Sequence, residues 1–315
     1  MDAKRDDPPV IEDCVVMKGR LRPIVLLTCT MLFWGANSVI SRAGSFHVPT
    51  TGLAFWGWMM AFILFAPWAL PRVVRQWRTI REHWPVIMVL GVLGIGLFPQ
   101  ILYGALGTTE SINVALVNTA TPAAIVALSW LCFRSPVTWR LMIGMAASFI
   151  GVIIVIARGS LDVILALQFA VGDIVMLVGI WVWAVYSILL RYRPPEIDSL
   201  ALLWVMIVPA LMVSGLIYFS ELIYPWRFDP VAQNLVFIAY AGIFPAALAY
   251  VFYNIGARAL GPQVASQFLF MVPIITAILA VIFLGETFES FHLISLLLVL
   301  GGLYFANANS TGESS

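Results

Sequence analysis

The sequence predicts an all-α membrane protein of ten transmembrane helices, built as two inverted five-helix repeats around a central cavity. Its apolar composition, its apolar runs of membrane-spanning length and a pattern that recurs in the second half predict this fold. Of 315 residues, 62% are hydrophobic and 10% are charged, whereas soluble domains carry about 25% charged residues. The mean hydropathy of +0.98 indicates that most of the surface contacts membrane lipids. The net charge of +1 argues against nucleic-acid binding through bulk charge.

Successive apolar runs are long enough to cross a bilayer core, which takes about 20 residues of helix. In lipid the backbone must satisfy its own hydrogen bonds, so each run is predicted to be helical. None shows the alternation of a transmembrane β-strand. The runs cover residues 24–43, 51–70, 84–106, 112–133, 139–157, 172–192, 200–222, 234–257, 262–284 and 291–308.

The basic residues predict the orientation of the chain. Ten spans put both termini on one side, and 14 of the 17 Lys and Arg residues lie on that side. Since basic loops favour the cytoplasm, we predict an inner-membrane protein with cytoplasmic termini. Residues 1–22 are predicted to be a disordered cytoplasmic tail and residues 309–315 a second cytoplasmic tail. The first apolar run exceeds the roughly 7–15 residues of a signal-peptide core, so it is predicted to be a helix.

An internal repeat divides the chain into two units, predicted at residues 23–157 and 171–308. The pattern W-x3-S-x3-R begins at Trp34 and again at Trp183, 149 residues later. An odd number of helices per unit turns the second copy upside down in the membrane, which is a common transporter design. Two further pairs lie 151 residues apart, Pro122 with Pro273 and Gly151 with Gly302.

Short motifs in a consistent order resemble the EamA-like family of the drug/metabolite transporter superfamily. The resemblance covers roughly residues 22–308. The motifs are Phe33-Trp34-Gly35-Ala36-Asn37, Phe55-Trp56, Asn113-Val114-Ala115-Leu116 followed by Pro122, Gly172-Asp173 with Trp183-Ala184-Val185-Tyr186-Ser187, and Pro273 followed by Leu284-Gly285-Glu286.

This resemblance implies ten helices in two inverted halves, a central cavity, and export or exchange of amino acids, related metabolites or drugs. The chain departs from the family pattern at two places. Gly57 stands where members often have Arg, and Phe133-Arg134-Ser135 replaces a copy of the Leu-Gly-Glu motif. The first departure removes a charged contact, so substrates of relatives do not transfer directly.

Neutral polar and aromatic side chains recur at helical spacing and are the candidates for a substrate cavity. Trp34, Asn37 and Ser38 share one face of the first helix. Such faces stack on a flat ligand and hydrogen-bond it, or alternatively they bridge packed helices. The candidates are Trp34, Asn37, Ser38, Trp56, Tyr103, Asn118, Thr121, Trp183, Tyr186, Ser187, Tyr250, Tyr253, Asn254, Gln267 and Phe270.

Two prolines and three charged residues are candidates for movement and coupling. Pro122 and Pro273 interrupt helical hydrogen bonding and are hinge candidates, with a static kink as the alternative. Asp173, Glu286 and Arg42 lie near span ends and are coupling or gating candidates. For Asp173 a helix N-cap is the alternative. Since no charge lies in the middle of a span, the cargo is predicted to be neutral, zwitterionic or aromatic.

The function predicted is secondary active transport, with export of small metabolites such as amino acids by alternating access. The transport cycle is expected to be coupled to protons or to a counter-substrate. No cofactor or metal is predicted. The oligomeric state is a monomer or a homodimer. The alternatives are a non-transporting membrane receptor or scaffold, a channel, and an intramembrane enzyme. The cysteines and histidines form no catalytic or metal-binding spacing, so the chain is predicted not to be an enzyme.

Overall fold

The computed structural model describes residues 10–44, 50–106, 108–109, 111–166, 170–221, 232–285, 287 and 289–307. This part of the chain consists of helices joined by short connections and holds no β-strand. The α-helices are α1 (Val10–Gly44), α2 (Thr50–Arg75), α3 (Trp77–Glu82), α4 (Trp84–Leu90), α5 (Phe98–Leu106), α6 (Ser111–Asn118), α7 (Thr121–Phe133), α8 (Trp139–Ile156), α9 (Leu161–Leu165), α10 (Val171–Leu189), α11 (Ser199–Glu221), α12 (Ala232–Ala241), α13 (Ala249–Leu260), α14 (Pro262–Gln267), α15 (Met271–Leu284) and α16 (Ser290–Asn307).

Eight of the predicted spans coincide with helical stretches that are long and apolar enough to cross a membrane. The fourth and tenth predictions fall on shorter apolar helices, Thr121–Phe133 and Ser290–Ala306. Many large apolar side chains lie on the outer surface of the bundle, as lipid contact requires. The eight stretches are Leu21–Ile40, Ala54–Arg75, Trp84–Leu102, Trp139–Ile156, Val171–Tyr192, Ser199–Ser220, Leu235–Leu260 and Pro262–Phe283.

Two predicted helices are interrupted near their prolines. The fourth is split into α6 and α7, and Pro122 occupies the second position of α7. The ninth is split by a 3-10 turn, Phe268–Phe270, just before Pro273. Proline has no N–H and fits the first turn of a helix, so in both places a helix begins near it. The expectation of interrupted hydrogen bonding agrees with this geometry, whereas hinge motion stays a prediction.

The first helix begins earlier than predicted. Helix α1 starts at Val10, whereas the first predicted span starts at residue 24. The disordered cytoplasmic tail at residues 1–22 stays a prediction. Residues 1–9 and the tail 309–315 lie outside the described residues.

Two π-helical segments occur at equivalent places in the two halves. They are Gly91–Leu97, between α4 and α5, and Gly242–Leu248, between α12 and α13. Their first residues are 151 positions apart, which is the offset of the proline and glycine pairs. A π-helical turn widens the helix and is often found at functional sites. The agreement of local geometry with the sequence offset supports a structural duplication.

The same duplication is visible where helices approach each other closely. The first π-helical segment packs on α11, and a Cβ added to Gly91 would lie 2.3 Å from the Met206 carbonyl oxygen. The second packs on α2, and a Cβ on Gly242 would lie 2.5 Å from the Gly57 carbonyl oxygen. Gly57 and Met206 are 149 residues apart, the offset of the tryptophan motif. Gly57 therefore serves helix contact at the position where family members often carry Arg.

Helices α8 and α16 pack closely against each other along much of their length. A Cβ on Gly302 would lie 2.5 Å from the Gly144 carbonyl oxygen and 2.4 Å from Ser148 Oγ. Ser148 also donates a hydrogen bond to the Val299 carbonyl oxygen at 3.3 Å. Small residues allow this approach, as in other membrane helix pairs. These two helices act as scaffold within one chain.

Candidate functional site

Aromatic side chains from several helices meet in the middle of the bundle. We name this group the central cluster; its members are Trp34 of α1, Trp58 of α2, Phe98 of α5, Trp183 and Tyr186 of α10, and Tyr250 and Tyr253 of α13. Ring centroids lie 5.6 Å apart for Trp34 and Trp183 and 5.4 Å apart for Trp183 and Tyr253. These separations and the tilted or edge-on ring geometries are those of favourable aromatic pairs.

Five rings of the central cluster are buried, and those of Trp34 and Phe98 are half-buried. Trp183 is 2% exposed, and Tyr186 and Tyr253 are fully buried. The structure thus has contacting rings where the sequence predicts a central cavity, because the large side chains of both halves project into the same space. Opening space for a ligand requires these rings to move apart.

Each π-helical segment accepts one hydrogen bond from the central cluster. Trp34 donates its indole N–H to the Pro245 carbonyl oxygen at 2.9 Å, and Tyr250 donates its hydroxyl to the Gly94 carbonyl oxygen at 2.8 Å. Gly94 and Pro245 are 151 residues apart, so they are equivalent positions of the two segments. Both bonds join the first half of the chain to the second.

Two further hydrogen bonds join α10 to α13. Tyr186 donates to Asn254 Oδ1 at 2.7 Å, and Ser187 Oγ and the Tyr253 hydroxyl share a hydrogen bond at 3.2 Å. We name these the α10–α13 bonds. All four side chains are at most 1% exposed, and Asn254 Nδ2 has no hydrogen-bond partner. An unpaired buried donor is costly, so this amide is available to an incoming acceptor.

The Tyr186 ring depends on Gly94. A Cβ added to Gly94 would lie 2.4 Å from two ring carbons of Tyr186. A glycine is therefore required for the first π-helical segment to lie against this ring. The sequence offered no signal for this contact, because the two residues are far apart in the chain.

The structure brings six of the predicted cavity candidates together with Asn254 and leaves others apart. Trp34, Trp183, Tyr186, Ser187, Tyr250 and Tyr253 meet as described above. Trp56 instead packs near Phe55 and Tyr218, while Trp58, which we did not predict, contacts Tyr250 with ring centroids 5.0 Å apart. Residues two apart on a helix point in different directions, so choosing Trp56 missed Trp58.

The remaining polar candidates lie nearer one end of the bundle. Asn37 is half-buried, and Ser38 is exposed and donates to the Trp34 carbonyl oxygen at 3.3 Å. Asn118 is exposed and accepts from the buried Thr121 hydroxyl at 3.0 Å. These bonds are local to one segment, which favours the helix-bridging or structural interpretation for Ser38 and Thr121.

Two candidates from the ninth span are buried beside the break in that span. Gln267 ends α14, is 2% exposed and donates to the Gln263 carbonyl oxygen at 3.4 Å. Phe270, in the 3-10 turn, is also 2% exposed. Tyr103 lies in α5, and its side chain is outside the described residues.

Of the coupling candidates, the side chain of Asp173 is described. It is 1% exposed, accepts the Ala170 backbone N–H at 2.7 Å and accepts the Thr109 hydroxyl at 2.8 Å. Asp173 is the third residue of α10, so it stabilises the helix start from inside the first turn and is not itself the N-cap residue. Glu286 and the side chain of Arg42 lie outside the described residues.

Charge is absent from the central cluster. Among the described side chains, the buried Asp, Glu, Lys and Arg residues are Asp173 and Arg193, and both lie beyond the cluster at opposite ends of α10. The buried His292 belongs to α16, away from the cluster. Sequence reasoning missed Arg193, although it continues the helical spacing of Trp183 and Tyr186. No group of three or more His, Cys, Asp or Glu residues suited to a metal ion occurs within the described part.

Several proteins with sequences similar to this chain are named as transporters. An uncharacterised transporter of Archaeoglobus fulgidus is 26% identical over 292 residues, covering 90% of this chain and 96% of that protein. The transporter YyaM of Bacillus subtilis, also uncharacterised, is 26% identical and covers 72% and 74% of the two chains. A protein of Streptantibioticus cattleyicolor named "Probable terminal-alkyne amino-acid exporter" is 22% identical and covers 91% and 94%.

A solved crystal structure shares this fold with a TM-score of 0.76 at 18% identity, covering 92% of this chain and 98% of the other. The model of the EamA-like transporter family matches twice, over residues 21–157 and 170–308. These ranges agree with the two units that the internal repeat predicts. The chain is a multi-pass membrane protein with a two-repeat architecture, and it belongs to the EamA-like transporter family.

Proposed function

We propose that this protein exports small neutral, zwitterionic or aromatic metabolites, aromatic amino acids among them, by alternating access across the cell inner membrane. The observation that carries the proposal is the central cluster, which gathers aromatic rings and hydrogen-bonding groups from both halves and contains no charge. Rings at these spacings offer a flat molecule stacking surfaces, and Asn254 offers an unpaired amide donor.

Ten crossings with inverted halves are part of the proposal. The shorter helices Thr121–Phe133 and Ser290–Ala306 then complete the eight longer spans. The equivalent π-helical segments and their equivalent carbonyl acceptors support a two-fold relation between the halves. Such a relation allows one half to rock against the other around a site near the midplane.

The burial pattern supports a conformation that is closed toward the cytoplasm. Ser187 and Asn254, on the side of the cluster where α10 ends, are buried, whereas Ser38 and Asn118 on the other side are exposed. With cytoplasmic termini, the end of α10 is the cytoplasmic end. The α10–α13 bonds then close the inner path, and release outward fits the exposed side. Protons or a counter-substrate couple the cycle, and Asp173 is less suited to carry the proton because its carboxylate is engaged by the Ala170 N–H and the Thr109 hydroxyl at the start of α10.

A transport assay tests the proposal. The purified protein is reconstituted in liposomes, and each batch of liposomes is loaded inside with one unlabelled amino acid. Entry of the same amino acid in labelled form is then measured. The amino acids are phenylalanine, tryptophan, leucine, glutamate and lysine. We expect exchange above that of protein-free liposomes for the first three and none for glutamate or lysine, whose net charge has no counter-charge in the cluster. Equal exchange of glutamate or lysine, or no exchange of any compound, contradicts the proposal.

The orientation has its own test. In a cysteine-free background, Arg75→Cys and Arg158→Cys place single thiols at exposed positions on opposite sides of the proposed topology. A membrane-impermeant maleimide added to spheroplasts should label the thiol at position 158 and spare the one at 75 until the cells are lysed. The reverse pattern overturns the proposed direction of the chain.

A further inference from the structure

A buried arginine lies beside the cytoplasmic end of the proposed path. Arg193 follows α10 directly after a 3-10 turn, Leu190–Tyr192, and is 5% exposed. Its Nη2 donates to Ser199 Oγ at 3.2 Å, while its Nε and Nη1 have no hydrogen-bond partner. Within the described residues no carboxylate lies within 4.0 Å of its guanidinium group. A buried charge without a counter-charge is costly, so the site favours an anionic partner.

The neighbouring charges leave Arg193 unneutralised. Burial, and after it the nearby Arg258, lowers the pKa of Arg193 from its ordinary value. The carboxylate that acts on Arg193 is that of Asp198, but it accepts the backbone N–H groups of Leu200 and Ala201 at 3.0 Å and 3.3 Å. Asp198 also lies 3.6 Å from Arg72 Nε, so it is already engaged.

The position of Arg193 links it to the central cluster. Trp183, Tyr186, Leu190 and Arg193 follow the spacing i, i+3, i+7 and i+10, which runs along one side of α10. Leu190 is 2% exposed, so this side is buried along its length. Tyr186, on this same side of α10, makes one of the α10–α13 bonds. When those bonds open, Arg193 faces a molecule that enters from the cytoplasm.

The loop that carries Arg193 is tied to two other helices. Gln76 donates to the Glu196 carbonyl oxygen at 2.9 Å and accepts the Asp198 N–H at 3.1 Å. Arg258 of α13 donates to the Pro195 carbonyl oxygen at 3.3 Å. Because the loop is held from both sides, the guanidinium group is positioned before any ligand arrives.

We propose that Arg193 binds the carboxylate of the transported molecule at the cytoplasmic entrance, which narrows the cargo to carboxylate-bearing zwitterions such as aromatic amino acids. This inference rests on the proposed function. A guanidinium group presents parallel N–H donors that match a carboxylate, and two of its nitrogens are free here. The carboxylate then leaves Arg193 as the side chain of the cargo enters the central cluster.

The test compares phenylalanine with phenylalaninamide, which lacks the carboxylate, at about pH 8.5, where an α-amino group of pKa about 7.7–8.0 is mostly neutral and the amide carries little net charge. Uptake into inside-out vesicles, corrected with vesicles lacking the protein, gives KM values for cytoplasmic binding. We expect Arg193→Gln to raise the KM for phenylalanine about tenfold or more, as loss of a hydrogen bond between charged groups does, with the KM for phenylalaninamide unchanged. Arg193→Lys should restore part of the preference. Arg191→Gln is the matched control, because Arg191 is exposed and lies over the Phe133 ring.

An unchanged ratio of the two KM values in Arg193→Gln overturns the inference, and so does an equal effect of Arg191→Gln. If the wild type moves neither compound, the proposed function fails, and a binding assay still decides on Arg193. Benzoate should raise the Tm of the purified wild-type protein more than benzamide does, and this difference should be absent in Arg193→Gln. Equal Tm shifts from benzoate and benzamide in the wild type count against Arg193 as a carboxylate site.

Discussion

The indole N–H of Trp34 lies 2.9 Å from the carbonyl oxygen of Pro245 and donates to it, although the two residues are 211 positions apart in the chain. Tyr250 makes the corresponding bond to Gly94 in the other half. These two contacts attach the central cluster to the two π-helical segments. Any rearrangement that separates the halves must break or exchange them.

Replacement of Trp34 by Phe keeps a ring and removes the N–H donor. We expect transport to fall about two- to tenfold, since a hydrogen bond contributes about 0.5–1.5 kcal/mol net. Initial rates of phenylalanine exchange in liposomes, at matched protein content, provide the measurement. Trp130→Phe is the control, because Trp130 is 58% exposed on the bundle surface and should tolerate the change. Equal rates for both variants would remove the Trp34 bond from the mechanism.

Replacement of Gly94 by Ala tests the contact between the first π-helical segment and Tyr186. The added Cβ would lie 2.4 Å from the ring, so we expect overpacking to destabilise the protein by about 1–3 kcal/mol. Gly104→Ala, on α5, is the matched control because no atom lies within 4 Å of its added Cβ. Thermal unfolding in detergent compares the two. If Gly94→Ala matches Gly104→Ala, the ring does not occupy this position.

A double-mutant cycle measures the stronger of the α10–α13 bonds. Tyr186→Phe and Asn254→Val each remove one partner of the 2.7 Å hydrogen bond. We expect the double variant to be less destabilised than the sum of the single variants, with a coupling of about 0.5–3 kcal/mol. Unfolding titrations from mild detergent into SDS give the free energies. Pairing Tyr186→Phe with Ser220→Ala should be additive, because Ser220 donates to Ile217 within its own helix and lies on the exposed surface. Additivity in both cycles would contradict the bond.

Replacement of Gly302 by Ala tests the scaffold formed by α8 and α16. The new Cβ would lie 2.4 Å from Ser148 Oγ and 2.5 Å from the Gly144 carbonyl oxygen, so the two helices must separate. We expect a loss of about 1–3 kcal/mol in the free energy of unfolding. Gly301→Ala, one residue earlier, meets no atom within 4 Å and should be neutral or slightly stabilising. Similar Tm values for the two variants would refute the close approach.

Much of the fold is readable from the sequence, because a membrane imposes one simple length requirement on apolar helices. The run predicted at 139–157 corresponds to Trp139–Ile156, and the run at 172–192 to Val171–Tyr192. The twofold family match also agrees with the repeat that Trp34 and Trp183 reveal. Helical spacing also identified Tyr186 and Tyr253 as candidates for the same site, because polar groups of membrane helices face the interior of the bundle.

The sequence was less informative where distant contacts decide the local structure. No periodicity predicts the π-helical segment Gly91–Leu97, because the segment contains no polar residue whose position would reveal the extra residue in the turn. The burial of Arg193 depends on the loop contacts of Gln76 and Arg258, which span more than 60 residues of chain in each case. Trp58 was missed because the family motif draws attention to Trp56, whereas the helix turns Trp58 toward Tyr250.

Exchange of labelled phenylalanine by three proteins in the same liposomes tests whether the central cluster binds the cargo. The proteins are the wild type, Trp183→Ala and Trp130→Ala, which remove a buried and an exposed tryptophan, respectively. We predict that Trp183→Ala folds and reaches the membrane but has a raised KM for phenylalanine or no exchange. Trp130→Ala should behave as the wild type. Unchanged exchange kinetics in Trp183→Ala would contradict it.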